Sequence, residues 1–420
     1  MSNSLAIRGG TPVIDRPAPH VPWPPIDAST AATVASQLCR AVSIPDRSGV
    51  IAELEDRLAD YFGVRQAVLT SSGTAALHSA YAALGLTDGD EVIVPAYTFH
   101  ATATPLFHLR VKPVLVDCDE LGNLDPAAVE RAIGPATKAV AVTHLWGVPG
   151  QVELLTTIAR DYGLTLIEDG SHAHGATVKG RKIGSFGHIA AFSMNGPKPL
   201  SAGEGGFTLT DNDEAYYQML LHGHYNKRCR GEIPMTHPLQ RYAVTGTGLK
   251  LRIHPLAAAL ALNQLDALDE RLEGRREIAA RMITALRELP GIVVPRVPPE
   301  CKPSWYALGL VYQPDELHGL PVDAIVEALQ AEGCLELDRP GSTRPLNEHP
   351  LFSAPDRLFP SLPQGWPRYR PGQFPHAERL HRNTLKLTVP HDDVSLADAY
   401  VEAFEKVLSN PHELRKDASV

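Results

Sequence analysis

A lysine set between two prolines is the first feature of this chain that invites chemistry. In FSMNGPKPLSAGEGG, residues 192–206, Lys198 is flanked by Pro197 and Pro199 and followed by a glycine-rich turn. Proline fixes φ and lacks an amide hydrogen, so the pair excludes a regular helix or a central strand around the lysine. HIAAF before it and GGFTLTD after it read as short strands, which puts Lys198 on a stiff loop between sheet elements. Such loops carry reactive groups. A solvated surface lysine is the plainer alternative.

Three further segments place polar groups just past an apolar strand. In SSGTAAL, Ser71, Ser72, Gly73 and Thr74 lead from a strand into a helix, where free amides and hydroxyls can cradle a phosphate. A simple helix cap is the alternative. There is no GK[ST] and no opening GxGxxG, which disfavours ATP and NAD. In PAYTFHATA, Tyr97 or Phe99 could stack on a planar ring or fill the core. In LIEDGSHAHG, Asp169 ends a buried strand and needs a partner, with His172 three residues on. Asp169 capping a helix, with His172 in its first turn, is equally compatible. The HAH pair has no third ligand at a sensible spacing, so no metal is expected. Ser193 stands just before the lysine loop. A phosphate cradle, a stacking aromatic, a carboxylate and a loop lysine at one sheet edge are the set that pyridoxal 5'-phosphate requires.

The elements that must hold these groups alternate along the chain. QAVLTSS, DEVIVPAY, KPVLVDCD, KAVAVTHL and LTLIEDG read as strands, and GTAALHSAYAALGL, TFHATATPLFHL, DPAAVERAIG and QVELLTTIARDYG as helices. Short apolar strands between amphipathic helices imply an α/β fold, a mostly parallel sheet covered on both faces, with ligands beyond the carboxyl ends of the strands. Residues 1–25, rich in proline, predict an extended arm suited to a partner's surface, and residues 26–255 the large cofactor-binding domain. Residues 256–410 predict a connecting helix, read as one stretch from HPLAAAL to LREL, and a smaller α+β domain. Within it, the proline-rich residues 340–380 predict a loop over the site or an oligomer contact. Residues 411–420 predict a polar, frayed tail.

Composition narrows the class. At 420 residues the chain can bury a sizeable site, and a net charge of −9 without a basic block argues against a nucleic-acid surface. The five cysteines are scattered, without a CxxC pair, which argues against a disulfide framework or zinc site. No leader pattern opens MSNSLAIRGGTPV and no apolar run reaches membrane-spanning length, so a cytoplasmic enzyme free of membranes is expected.

From ELEDRLADYFG through SSGTAAL, DEVIVPAYTF, IEDGSHAHG and FSMNGPKPLSAGEGG to LKLTVPHDDVSLADAYVEAF, the chain resembles the DegT/DnrJ/EryC1/StrS aminotransferases, fold-type-I pyridoxal-phosphate enzymes acting on keto sugars and keto-cyclitols. The resemblance implies that Lys198 forms the Schiff base with the cofactor, that Asp169 pairs with its pyridine nitrogen, and that His172 lies near its ring hydroxyl. It also implies that Gly73, Thr74 and Ser193 hold the phosphate and that Phe99 stacks on the ring. The implied unit is a homodimer with sites shared across the interface, taking an amino group from glutamate or glutamine. Relatives that perform sugar 3-dehydration carry histidine at the lysine position, so Lys198 favours transamination over a dehydratase or aromatising reaction; a regulatory protein of the same fold is the third reading. Two departures stand out. Arg252 occupies LKLRIHP where many members place an asparagine that reaches the neighbouring subunit's phosphate, and NGPKPLS differs from the commonest lysine flanks. The opening LAIRGGTPV, with Trp23 beyond it, is similar to the branch that makes aminocyclitols and aminohydroxybenzoate starter units.

Overall fold

The computed structural model describes residues 4–415. Its main sheet has seven strands: β1 (Gln66–Thr70), β2 (Glu91–Pro95), β3 (Lys112–Val116), β4 (Thr137–Thr143), β5 (Thr165–Asp169), β6 (Ile189–Ser193) and β7 (Gly206–Thr210). They lie in the order β1-β7-β6-β5-β4-β2-β3. All run parallel except β7, which is antiparallel to both β1 and β6. The fold is thus the expected α/β architecture.

The strands are short and apolar because both faces are covered. Two helices, α1 (Ala28–Arg40) and α2 (Gly49–Phe62), precede β1; along β4, Ala139 and Ala141 join the cluster under helix α3 (Gly73–Ala82), whereas Val140 and Val142 join the one under α4 (Val152–Asp161). That alternation is the period-two signature of a strand packed on two sides. Parallel register brings the carboxyl ends of β1, β5 and β6 to one edge. There Gly206, the first residue of β7, pairs with both Thr70 and Ser193.

Helices α5 (Pro255–Asp266) and α6 (Leu268–Leu286) lead to a second sheet of four antiparallel strands. These are β8 (Ile292–Val293), β9 (Leu308–Tyr312), β10 (Leu337–Asp338) and β11 (Thr384–Leu387), in the order β8-β9-β11-β10. Leu310, Leu385, Tyr400 and Phe404 are fully buried in its core.

Three local expectations differ from what is seen. The single connecting helix is two, broken at Ala267 (φ −104°, ψ 9°). TFHATATPLFHL is not one helix: it opens on the strand Tyr97–Phe99, which pairs antiparallel with Thr343–Pro345, and only then turns through a 3-10 segment, His100–Thr102, into the short helix Thr104–His108, so a long-range partner outweighs local propensity at its start. The described residues of the arm run against their own chain. Leu5 is fully buried, Ile14 donates its amide to the Glu332 carbonyl at 2.9 Å, and both join the core of the second sheet. The proline-rich stretch packs on its own chain, with Phe352 and Trp366 against Phe107 at ring separations of 5.4 and 5.1 Å.

Candidate active site

A cavity of about 330 Å³ opens at the carboxyl edge of β1, β5 and β6. Gly73, Thr74, Phe99, Asp169, His172, Ser193 and Lys198 all border it, so seven side chains or backbones singled out in sequence converge on one space.

At one end is the start of α3. Ser72 caps it, its hydroxyl accepting from the Ala75 amide at 3.1 Å, which leaves the amides of Gly73 and Thr74 without an intrahelical partner. Glycine is required here by close approach. A Cβ on Gly73 would lie 2.5 Å from Ser193 Cβ, and one on Gly206 would lie 2.5 Å from the Ser72 carbonyl. The turn, β6 and the GEGG segment are thereby pressed together, with helix amides and the Ser193 hydroxyl facing the cavity. This donor set fits a phosphate.

Asp169 is buried at the end of β5. One carboxylate oxygen accepts from the Thr102 hydroxyl at 2.8 Å and the other from the Ser171 amide at 3.2 Å. Thr102 is in turn 2.9 Å from the Thr98 hydroxyl. No helix follows Asp169, so the cap alternative is excluded: residues 170–176 form turns. The neighbouring Glu168 points away, its carboxylate taken by the amides of Gly184, Phe186 and Gly187.

His172 is packed flat against Tyr306, with ring centroids 4.1 Å apart and 13° between planes, and Trp146 lies nearly parallel at 5.7 Å. Burial, helped by Lys198 and Lys386, holds the imidazole well below its ordinary pKa, so the ring is neutral. His174 turns instead to Phe192 and Phe207, and burial pushes it down to about 3. The two histidines therefore face different surroundings rather than one metal.

Lys198 enters from the β6–β7 loop. Its Nζ stands 4.5 Å from the Tyr306 ring centroid, with Lys386 Nζ 6.0 Å from the same ring. Burial pushes the amine down to about 8, and Lys386 adds to the shift while Asp169 opposes it. A lysine in this state loses its proton readily near neutral pH and can act as nucleophile and base. The solvated-surface alternative is excluded.

Phe99, partly exposed, borders the cavity and contacts the His100 ring at 4.2 Å. Tyr97, the other aromatic considered, is buried in the core and faces a different cavity beside Trp146. Ser342 and Thr343 of the proline-rich stretch also reach the site, as does Glu204, which accepts from Asn195 Nδ2 at 2.8 Å. Arg252 does not line the cavity. It borders a small recess with Asp46, His224 and Arg228, and has no hydrogen bond or ion pair among the described residues.

Sequence reading missed Thr102, Trp146, Tyr306 and Lys386, and offered a place over the site for the loop of Ser342 and Thr343 without singling out either residue. Apart from Thr102 none carries a local signal, because each reaches the site through tertiary pairing. The one available hint was the TxxxT spacing of Thr98 and Thr102 beside Phe99.

Comparison with known proteins identifies the family. L-glutamine:2-deoxy-scyllo-inosose aminotransferase of Streptoalloteichus tenebrarius is 35% identical over 423 residues, covering 98% of this chain and 99% of its own. L-glutamine:scyllo-inosose aminotransferase of Streptomyces griseus is 33% identical, covering 99% of this chain and 100% of its own. The X-ray structure of the aminotransferase from Psychrobacter cryohalolentis matches with a TM-score of 0.83 at 26% identity, over 94% of this chain and 100% of that one. Residues 47–402 match the DegT/DnrJ/EryC1/StrS aminotransferase family, and the chain belongs to it.

Proposed function

We propose that this protein is a pyridoxal-phosphate-dependent aminotransferase that moves the α-amino group of glutamine or glutamate onto the ketone of a keto-cyclitol or keto-sugar. The observation that carries the reading is a single cavity that holds unpaired helix amides, a fixed carboxylate and a lysine whose amine is held at about 8. The names of the two aminotransferase relatives point to glutamine as donor and a cyclitol ketone as acceptor.

When bound, the cofactor supplies an aldehyde and an electron-accepting pyridine ring. The amides of Gly73 and Thr74 and the Ser193 hydroxyl would take its phosphate. Asp169, steadied by Thr102, would hold the proton on the ring nitrogen, and Phe99 would cover a ring face. Neutral His172 can share a hydrogen bond without adding charge. Lys198 would take the proton from the donor's α-carbon in the first half-reaction and, in the second, deliver a proton to the carbon that was the acceptor's carbonyl. The exchange balances: an amino acid and a ketone become a 2-oxo acid and an amine. Ser342 and Thr343 bring hydroxyl groups to the cavity, suited to a polyhydroxylated acceptor.

The working unit in this reading is a homodimer in the cytoplasm. Arg252 has no hydrogen-bond or ion-pair partner among the described residues, and in the segment that precedes it in sequence Met235, Tyr242 and Val244 are exposed apolar side chains, Met235 at 83%. These features suit a surface covered by a second copy, with Arg252 serving that copy's phosphate. All five cysteines are free thiols, which suits a reducing compartment, and no helix of the described residues is long and apolar enough to cross a membrane. The test is borohydride reduction of the loaded protein followed by peptide mapping. The cofactor is expected on Lys198, and label on Lys179, Lys182 or Lys227 overturns the assignment.

A further inference from the structure

We infer that Trp23, in the proline-rich arm, is a positioning residue for Lys198: its indole N–H holds the lysine's backbone carbonyl from outside the cavity and fixes where the ε-amine stands. The inference rests on the reading of Lys198 as the reacting amine.

The loop has few ties of its own. Pro197 and Pro199 remove two amide donors at the point where the lysine must be held most firmly. Inside the loop, the Lys198 amide reaches the Asn195 carbonyl at 2.9 Å and the Ala202 amide reaches the Met194 carbonyl at 2.8 Å. The Lys198 carbonyl is taken by Trp23 Nε1 at 2.8 Å, from 175 residues away in sequence. An aromatic donor of this kind is a rigid tether, with only two side-chain torsions to fix.

Trp23 is itself seated on the body of the protein. The Arg275 guanidinium lies 4.1 Å from its ring centroid, and His391 meets it edge-on at 5.8 Å and 80°. The adjoining Pro25 carbonyl accepts from Gln264 Nε2 at 3.1 Å. Arg275 is 3% exposed, yet no hydrogen bond or carboxylate partner is found for it among the described residues. A buried cation without a counter-charge is costly. The face of Trp23 is its described cation–π support, so the arginine serves as a shelf for the indole rather than as half of an ion pair. Arm, α6 and lysine loop thus meet at one indole.

The charged and titratable groups facing the Lys198 amine are Asp169 at the end of β5, Lys386 on β11, His172 and His174 on the turn after β5, and Tyr306 beneath it. Holding the amine among them keeps its pKa low. A loop released from Trp23 lets the amine swing toward water, which returns it toward ordinary lysine behaviour, and misplacement of a reacting group by about 1 Å costs up to about 100-fold in rate.

The experiment uses Trp23→Phe, which keeps a ring over Arg275 and removes the donor. In the cofactor-free full-length protein, the pH dependence of Lys198 acylation by acetic anhydride, read by peptide mass, gives the amine's midpoint. In the loaded protein, kcat and KM for glutamine are measured. The expected result is a midpoint displaced upward from that of the wild type, a kcat lowered roughly tenfold and a KM within twofold, with unchanged circular dichroism. If Trp23→Phe does not accumulate as folded protein, Trp23→Met repeats the comparison with similar bulk and no donor. A midpoint equal to the wild type's in a folded variant overturns the inference, whatever happens to kcat. Because the midpoint is read without cofactor, it is separable from the borohydride mapping: label on another lysine would sink the proposed function, while an unmoved midpoint would sink only the role of Trp23.

Discussion

Gly73→Ala probes the phosphate end of the site without touching any group that does chemistry. Alanine is acceptable to the backbone at the first position of a helix, so any effect comes from crowding. The new methyl would start 2.5 Å from Ser193 Cβ and 2.8 Å from its Cα, whereas comfortable carbon–carbon contact begins at about 3.5 Å, so the turn must retreat by about 1 Å. The same retreat carries the Gly73 and Thr74 amides out of line with a phosphate seated against Ser193. A hydrogen bond to a charged group is worth about 1.5–3 kcal/mol, so losing the equivalent of one weakens cofactor binding roughly 10- to 100-fold. Titrating the cofactor-free protein with pyridoxal 5'-phosphate, followed by absorbance and tryptophan fluorescence, measures the dissociation constant. Circular dichroism of the cofactor-free variant separates this effect from misfolding. Gly206→Ala presses on the same turn from β7, with contacts of 2.5 Å to the Ser72 carbonyl and 2.7 Å to the Gly73 nitrogen, and is expected to act in the same direction. Folded variants with dissociation constants within twofold of the wild type would refute the placement of the phosphate.

Asp169 and Lys386 are expected to move the Lys198 midpoint in opposite directions in the cofactor-free protein. Lys198 titrates at about 8 because burial and Lys386 disfavour its charged form while Asp169 favours it. Removing positive charge by Lys386→Ala therefore raises the midpoint, and removing negative charge by Asp169→Asn lowers it; shifts of one sign in both would contradict the arrangement. Asp169→Asn should also bind cofactor yet lose most of its rate, since an amide cannot hold a proton on the ring nitrogen, and near wild-type kcat would remove Asp169 from that role. For the dimer, mixing inactive Lys198→Ala and Arg252→Ala chains should restore activity after subunit exchange, because each mixed dimer contains one site free of both changes. No recovery in a sample shown by native mass spectrometry to contain mixed dimers would place Arg252 outside a shared site.

What could be read from residues alone was what is local. The prolines around Lys198 and the apolar runs beside them define the loop and its two strands, and Asp169 and Gly73 sit at strand ends because parallel βα units put their turns at one edge. What could not be read depends on contacts between distant segments. Thr102 holds Asp169 only because Tyr97–Phe99 is a strand paired with Thr343–Pro345, a match that the amphipathic texture of TFHATATPLFHL conceals. The break at Ala267 carries no glycine or proline to announce it. The arm over residues 1–25 has the composition of a surface strap, yet Trp23 ends against the Lys198 loop, and no rule of spacing relates residues that far apart.

In the proposed reaction an α-amino nitrogen, from glutamine where it is the donor, passes through the Lys198 site to a ring ketone. The most direct measurement is the mass of the amine formed when the loaded protein is incubated with scyllo-inosose and related keto-cyclitols and glutamine labelled with nitrogen-15 at either the α-amino or the amide position. The expected product is an aminocyclitol heavier by about one mass unit with the α-amino label and not with the amide label, accompanied by the 2-oxo acid of glutamine, with none formed by Lys198→Ala. Label arriving from the amide, or an aminocyclitol formed at an undiminished rate by Lys198→Ala, would contradict it.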